Sequence, residues 1–128
     1  MKKIAVIEDN PDNRLLAHML LQDFYEVAEY ANGTEGLQGM RADKPDVVLL
    51  DISLPDLPGT EVLQQMHDDE TLKHLPVIAL TAHAMAGDRE KYLAAGFDDY
   101  VTKPIVNEKI LLQTIERVLA QPKTGPPR

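Results

Sequence analysis

Three short runs of apolar residues constrain this chain more than anything else in it: Ile4-Ala5-Val6-Ile7, Val47-Val48-Leu49-Leu50 and Val77-Ile78-Ala79-Leu80. Each is nearly unbroken and rich in β-branched residues. A strand with one wet face alternates apolar and polar residues, whereas an unbroken run belongs to a strand covered on both faces. Glu26 to Tyr30 and Asp99 to Thr102 read as two weaker strands. Between the runs the apolar spacing becomes helical. Asn10 followed by Pro11 reads as an N-cap with proline at the first helical position, and Leu15, Leu16, Met19 and Leu20 then fall on one face. Thr34 to Ala42 carries Leu37 and Met40, and Gly59 to Asp69 carries Val62, Leu63 and Met66. Ala86 to Ala95 stops at Gly96, a good helix terminator, and Asn107 to Ala120 carries Ile110, Leu111, Ile115, Val118 and Leu119. A strand–helix unit repeated five times predicts an α/β fold: a five-stranded parallel sheet with right-handed crossovers and helices on both faces.

The length of 128 residues suits one domain over residues 1–120, followed by a flexible tail over 121–128, where three prolines and one glycine fall together. The chain has no cysteine, which excludes disulfides and zinc–thiolate sites and suits a reducing cytoplasm. No apolar run approaches the ~20 residues of a membrane span, and the N-terminus turns acidic too early for a signal peptide. A formal net charge of −8 disfavours nucleic acid and anionic membranes as partners.

In open parallel sheets the working residues gather beyond the carboxyl ends of the strands. Strand one ends in Glu8-Asp9, strand three in Asp51, strand four in Thr81 and strand five in Lys103-Pro104. Three carboxylates in one cleft repel one another, and a hard divalent cation such as Mg2+ relieves this; the set lacks the His and Cys that zinc favours. A carboxylate beside such a cation can be a nucleophile toward phosphorus, with Lys103 supplying positive charge and Thr81 a hydroxyl to the phosphoryl oxygens.

Leu49-Leu50-Asp51-Ile52-Ser53-Leu54-Pro55, Leu80-Thr81-Ala82 and Thr102-Lys103-Pro104, preceded by Glu8-Asp9, resemble the receiver domain of two-component response regulators. The resemblance covers residues 1 to about 120, and Ala79 to Ile105 is similar to receivers of hybrid histidine kinases and stand-alone phosphorelay regulators. It implies a flavodoxin-like (βα)5 fold and a role for each residue. Asp51 is expected to be the phosphoacceptor. Asp9, Asp51 and the Ser53 carbonyl are expected to ligate Mg2+, with Glu8 acting through a metal-bound water. Lys103 and Thr81 are expected to bind the phosphoryl group, and Tyr100 to be an aromatic switch coupled to Thr81. The Lys103-Pro104 bond is expected to be cis. Ser53 and His83 are less ordinary neighbours of the pocket, which bear on phosphoryl lifetime. The donor would be a histidine kinase or a histidine phosphotransfer protein.

Helix Ala86 to Ala95, with Asp88, Arg89, Glu90 and Lys91 toward solvent, would join strand five and the last helix as a partner-binding face. With no output module read after residue 120, the expectation is action on a separate downstream protein, transfer to a histidine phosphotransfer protein, or a place within a larger chain, and a monomer or weak dimer is the expected state. Such a chain catalyses its own phosphorylation and slow dephosphorylation, not turnover of an external substrate. The competing readings are a scaffold receiver that never takes phosphate and an aspartate-nucleophile phosphatase of the haloacid dehalogenase type. The latter needs an aspartate two residues after the nucleophile, where this chain has Ser53. The histidines at 18, 67, 74 and 83 show no metal-ligand spacing and read as surface or packing residues. The methionines at 19, 40, 66 and 85 read as core or helix-face fillers, and Asp98-Asp99 as a solvated turn.

Overall fold

The structure, a computed structural model, describes residues 1–82, 88–103 and 108–120. Strands and helices alternate as β1 (Lys3–Ile7), α1 (Pro11–Leu21), β2 (Glu26–Tyr30), α2 (Gly33–Ala42), β3 (Val47–Asp51), α3 (Gly59–His67), β4 (Val77–Thr81), α4 (Asp88–Ala95), β5 (Asp99–Thr102) and α5 (Glu108–Ala120). The strands form one parallel sheet in the order β2-β1-β3-β4-β5. The order changes direction between β1 and β3, the point at which sheets of this kind form a crevice at their carboxyl end.

The three apolar runs are its central strands, and every residue of β3 and β4 is buried. Successive side chains point to opposite faces. Ile4, Val6, Val47, Leu49, Ile78, Leu80 and Val101 therefore pack against Ala17 and Leu21 of α1 and Leu111, Ile115 and Val118 of α5. Ala5, Ile7, Val48, Leu50, Val77 and Ala79 pack against Leu37 and Met40 of α2, Val62, Leu63 and Met66 of α3, and Tyr92 of α4. Asn10 caps α1 as expected, its side chain accepting from the Asp12 and Asn13 amides at 2.8 and 3.1 Å. Gly96, at φ 113°, takes the left-handed conformation that ends α4.

Several expectations need correction. Leu16 and Leu20 are partly buried, but Leu15 and Met19 are each 57% exposed. The sheet-facing stripe of α1 centres on Ala17 and Leu21, and two residues away is about 200° round a helix. Ile110 likewise points outward from α5, which buries Leu111, Thr114, Ile115 and Val118. Asp98-Asp99 is no solvated turn. Asp99 opens β5, is buried and pairs with Arg117 at 2.5 Å, while Asp98 accepts from the Val77 amide at 2.8 Å. Helix α3 ends at His67, two residues early. Of the methionines, Met40 and Met66 are core residues. The expected start of α4 at Ala86 and of α5 at Asn107, the Lys103-Pro104 bond, His83, Met85 and the tail over 121–128 lie outside the described residues.

Candidate phosphoacceptor and metal site

Strand β1 runs on by one backbone bond, Glu8 N–H to Tyr30 O at 3.1 Å. Glu8 thereby stands at the crevice beside Asp51, the last residue of β3. Strand β5 runs on in the same way: the Lys103 N–H donates to Thr81 O at 2.7 Å. The Lys103 ammonium reaches across the strand ends and donates to Asp51 Oδ2 at 3.2 Å and Glu8 Oε1 at 3.3 Å. Carboxylate oxygens of Glu8, Asp9 and Asp51 all lie within 4.8 Å of one another. Glu8 and Asp51 are buried and Asp9 is exposed, so the cluster is closed on the protein side and open to solvent at Asp9.

The electrostatics follow from this packing. Burial, reinforced by the neighbouring Asp51 carboxylate, raises the Glu8 carboxyl above its ordinary range, and Lys103 only partly counters this. Burial works against the charged form of Lys103, but the Asp51 and Glu8 carboxylates outweigh it and hold the ammonium above the usual lysine range. One cation thus serves two buried carboxylates, and the third remains near the opening. Three convergent hard oxygen donors with no nitrogen or sulfur fit a magnesium-like ion.

The β3–α3 loop holds Asp51 from the other side. The Ser53 N–H donates to Asp51 Oδ1 at 3.0 Å, and the Gly59 N–H donates to Ile52 O at 2.8 Å. A Cβ at Gly59 would stand 2.5 Å from Asp51 O, so α3 packs directly on the Asp51 backbone. Asp56 fastens the loop to α2. Its carboxylate accepts from the Gly33 and Thr34 amides at 2.9 Å each and from the Thr34 hydroxyl at 2.6 Å. These bonds, that of the Thr34 hydroxyl foremost, hold the Asp56 carboxyl well below the usual range.

Thr81 ends β4, and carrying the alternation along each strand puts it on the opposite face from Asp51, the side of α4. There its hydroxyl is hydrogen-bonded to Tyr92 Oη at 2.9 Å, in a buried position. Tyr92 also lies edge-on to Phe97 and against Tyr100, with centroids 6.1 and 5.8 Å apart. The structure therefore gathers Glu8, Asp9, Asp51, Ser53 and Lys103 at one point, and places Thr81 and Tyr100 beside a second tyrosine.

Sequence reasoning passed over Tyr92, Arg14, Asp56 and Gly59. Arg14 donates to the Glu8 and Asp9 carbonyls at 2.9 and 3.3 Å and lies 3.8 Å from Glu29, which also pairs with His18. Tyr92 alone carried a readable signal, since a phenol buried on a helix needs a partner for its hydroxyl. The Asp56 contacts join residues more than twenty apart in the chain, and those of Arg14 and Gly59, though nearer, follow no periodic pattern.

Residues 4–116 match the family model described as the response regulator receiver domain. The chain belongs to the receiver family. This receiver is 42% identical over 105 residues to the polar-differentiation response regulator DivK of Brucella anthropi, covering 81% of this chain and 85% of DivK. It is similar to the receiver domain of the sensor histidine kinase PA1611 from Pseudomonas aeruginosa, at 32% identity and a TM-score of 0.84, with 94% of this chain and 98% of the other covered. That structure has a magnesium ion coordinated in its active-site cleft. The chemotaxis protein CheY4 of Vibrio cholerae shares 28% identity at a TM-score of 0.84, over 92% of this chain and 98% of CheY4. Receivers are phosphorylation-activated signalling switches of two-component systems that work with histidine kinases or phosphotransfer proteins and downstream targets, and this chain is one of them. Among the described residues no helix is long and apolar enough to cross a membrane.

Proposed function

We propose that Asp51 accepts a phosphoryl group from a phosphohistidine on a histidine kinase or a histidine phosphotransfer protein. The observation that carries this reading is the buried Asp51 carboxylate, 3.2 Å from the Lys103 ammonium and within 4.8 Å of two further carboxylates. One Asp51 oxygen attacks phosphorus. The P–N bond of the donor breaks, the imidazole leaves with that electron pair, and an acyl phosphate P–O bond forms. Loss of the group is attack by water at phosphorus, which restores the carboxylate and releases phosphate. Asp9, Asp51, the Ser53 carbonyl and, through water, Glu8 would hold a magnesium ion, which would supply the charge neutralisation that an anionic phosphoryl group needs at an anionic site. Lys103 already faces Asp51 and can follow its new oxygens, so the catalytic load is positioning and electrostatics. Thr81 donates to a phosphoryl oxygen, and Tyr100 responds to its movement.

In this reading residues 1–120 are the working unit, and residues 121–128 take no part in the chemistry. The protein acts in the cytoplasm as a monomer or weak dimer, on a separate protein rather than on nucleic acid or a membrane. It modifies only itself. The switched surface is formed by α4, β5 and α5. Incubation with a phosphorylated histidine phosphotransfer protein tests this directly. Label should move to the parent and not to Asp51→Asn, as an alkali-labile acyl phosphate. Absence of label with every donor tried, together with no Mg2+ binding, would favour the scaffold reading.

A further inference from the structure

The bond between Thr81 and Tyr92 carries an inference about the residue that sets the readiness of the switch. The two hydroxyls lie 2.9 Å apart in a buried position. Thr81 continues the face of Val77 and Ala79, which pack under α3 and α4, whereas Asp51 continues the face of Val47 and Leu49, which pack under α1 and α5. Either hydroxyl can be the donor in that bond, but the Thr81 oxygen occupies one staggered position at a time. To donate to a phosphoryl oxygen on Asp51, Thr81 must turn its hydroxyl from the α4 side toward the crevice. The geometry points to Tyr92 as a positioning residue: its phenol holds Thr81 in the orientation turned away from the phosphoacceptor, and phosphorylation exchanges that bond for one to the phosphoryl group.

The exchange favours phosphorylation once the group is present, because a hydrogen bond to an anionic oxygen is roughly twice as strong as one between neutral hydroxyls. Before that, the Thr81–Tyr92 bond stabilises the resting orientation. Loss of that bond changes the surroundings of a phenol on α4 whose ring lies against Phe97 and Tyr100. The rearrangement therefore reaches α4 and β5 through Tyr92 as well as through Tyr100. The inference rests on Asp51 being the phosphoacceptor and goes beyond it, since nothing in that role requires a tyrosine at position 92.

The test compares parent, Tyr92→Phe, Thr81→Val and the double variant. Each is exposed to a small phosphodonor with saturating Mg2+, and the rates of adduct formation and loss are followed by intact mass. Tyr92→Phe keeps the ring and removes only the hydroxyl. It should raise the ratio of formation rate to loss rate by about fivefold, the equivalent of one net hydrogen bond of ~1 kcal/mol. In the Thr81→Val background the same change should have no effect, because the group that Tyr92 holds is gone. Thr81→Ser, which keeps the hydroxyl, should respond to Tyr92→Phe as the parent does. A merely structural Tyr92 would lower the melting temperature and leave the ratio unmoved. An unchanged or lowered ratio in Tyr92→Phe, or an equal rise without the Thr81 hydroxyl, overturns the inference while the adduct on the parent upholds Asp51 as acceptor. No adduct on the parent overturns both. Independently of any variant, the Tyr92 ring resonances of the parent should shift on phosphorylation, and their constancy would overturn the inference even if Tyr92→Phe failed to fold.

Discussion

Gly59→Ala measures how tightly β3, which ends in Asp51, and α3 are joined. The added Cβ would lie 2.5 Å from Asp51 O and 2.8 Å from Ile52 Cα, against an ordinary C···O contact of ~3.3 Å. About 0.8 Å must therefore open at a place where both neighbours are backbone. That backbone is held by the Ile52 N–H to Leu80 O bond at 3.1 Å, the Ser53 N–H to Asp51 Oδ1 bond at 3.0 Å and the Gly59 N–H to Ile52 O bond at 2.8 Å. Overpacking of this kind costs about 1–3 kcal/mol, and alanine's helix propensity recovers little at a first helical position. Gly39→Ala is the internal control. There the new Cβ meets the outer end of the half-buried Tyr30 side chain rather than backbone, and the position is inside α2. Relief of a mid-helix glycine is worth ~1 kcal/mol, so Gly39→Ala should be neutral or slightly stabilising. Urea denaturation of parent and both variants reads the difference through the midpoint at constant slope. Gly59→Ala should lose 1–3 kcal/mol, as about the overpacking range, and should also take up phosphate more slowly, because the shift falls on Asp51 itself. Equal stability in the two variants would refute the claim that α3 rests rigidly on the Asp51 carbonyl.

Asp56→Ala should destabilise the protein by about 1–2 kcal/mol in the same assay, since it removes acceptors for the Gly33 and Thr34 amides at the start of α2; Asp56→Asn should lose less. Asp69 is held at about 2 by hydrogen bonds from the Thr71 side chain, Arg41 and the Thr71 amide, so its carboxyl stays ionised in the fold at a pH where the unfolded chain is protonated. Its contribution is complete above the unfolded value of ~3.9 and is lost as the pH falls toward 2. The stability of Asp69→Asn should therefore fall less steeply than that of the parent between pH 4 and pH 2, and parallel acid profiles would count against the Arg41–Asp69 contact. Leu63→Ala, at a buried position in the core beneath α3, should cost about 2–5 kcal/mol by thermal or urea melting.

The sheet was legible because its central strands are buried on both faces, a condition that forces unbroken apolar runs such as Val47 to Leu50. Glu26 to Tyr30 lacks such a run, being an edge strand with Glu26 and Glu29 outward, and its place came from the strand–helix rhythm alone. The site was legible because a parallel sheet brings strand ends to one edge, which is where Glu8, Asp51 and Lys103 meet. Helix faces were less so. Leu15 and Met19 are as apolar as Leu16 and Leu20, and only the approach of α1 at Ala17 decides which pair is covered. Asp99 looked like part of a turn because its partner, Arg117, is on a different element. Tyr92 and Asp56 escaped for the same reason: each acts on another element through one side chain, and neither partner is implied by local pattern.

Magnesium-dependent transfer of a phosphoryl group to Asp51 is the proposed step on which the switch depends. Intact mass after exposure to a small phosphodonor tests it most directly, with and without Mg2+ and alongside Asp51→Asn. One phosphoryl adduct is expected on the parent, none when Mg2+ is chelated and none on the variant. An adduct that persists on Asp51→Asn, or that forms equally well without the metal, would contradict it.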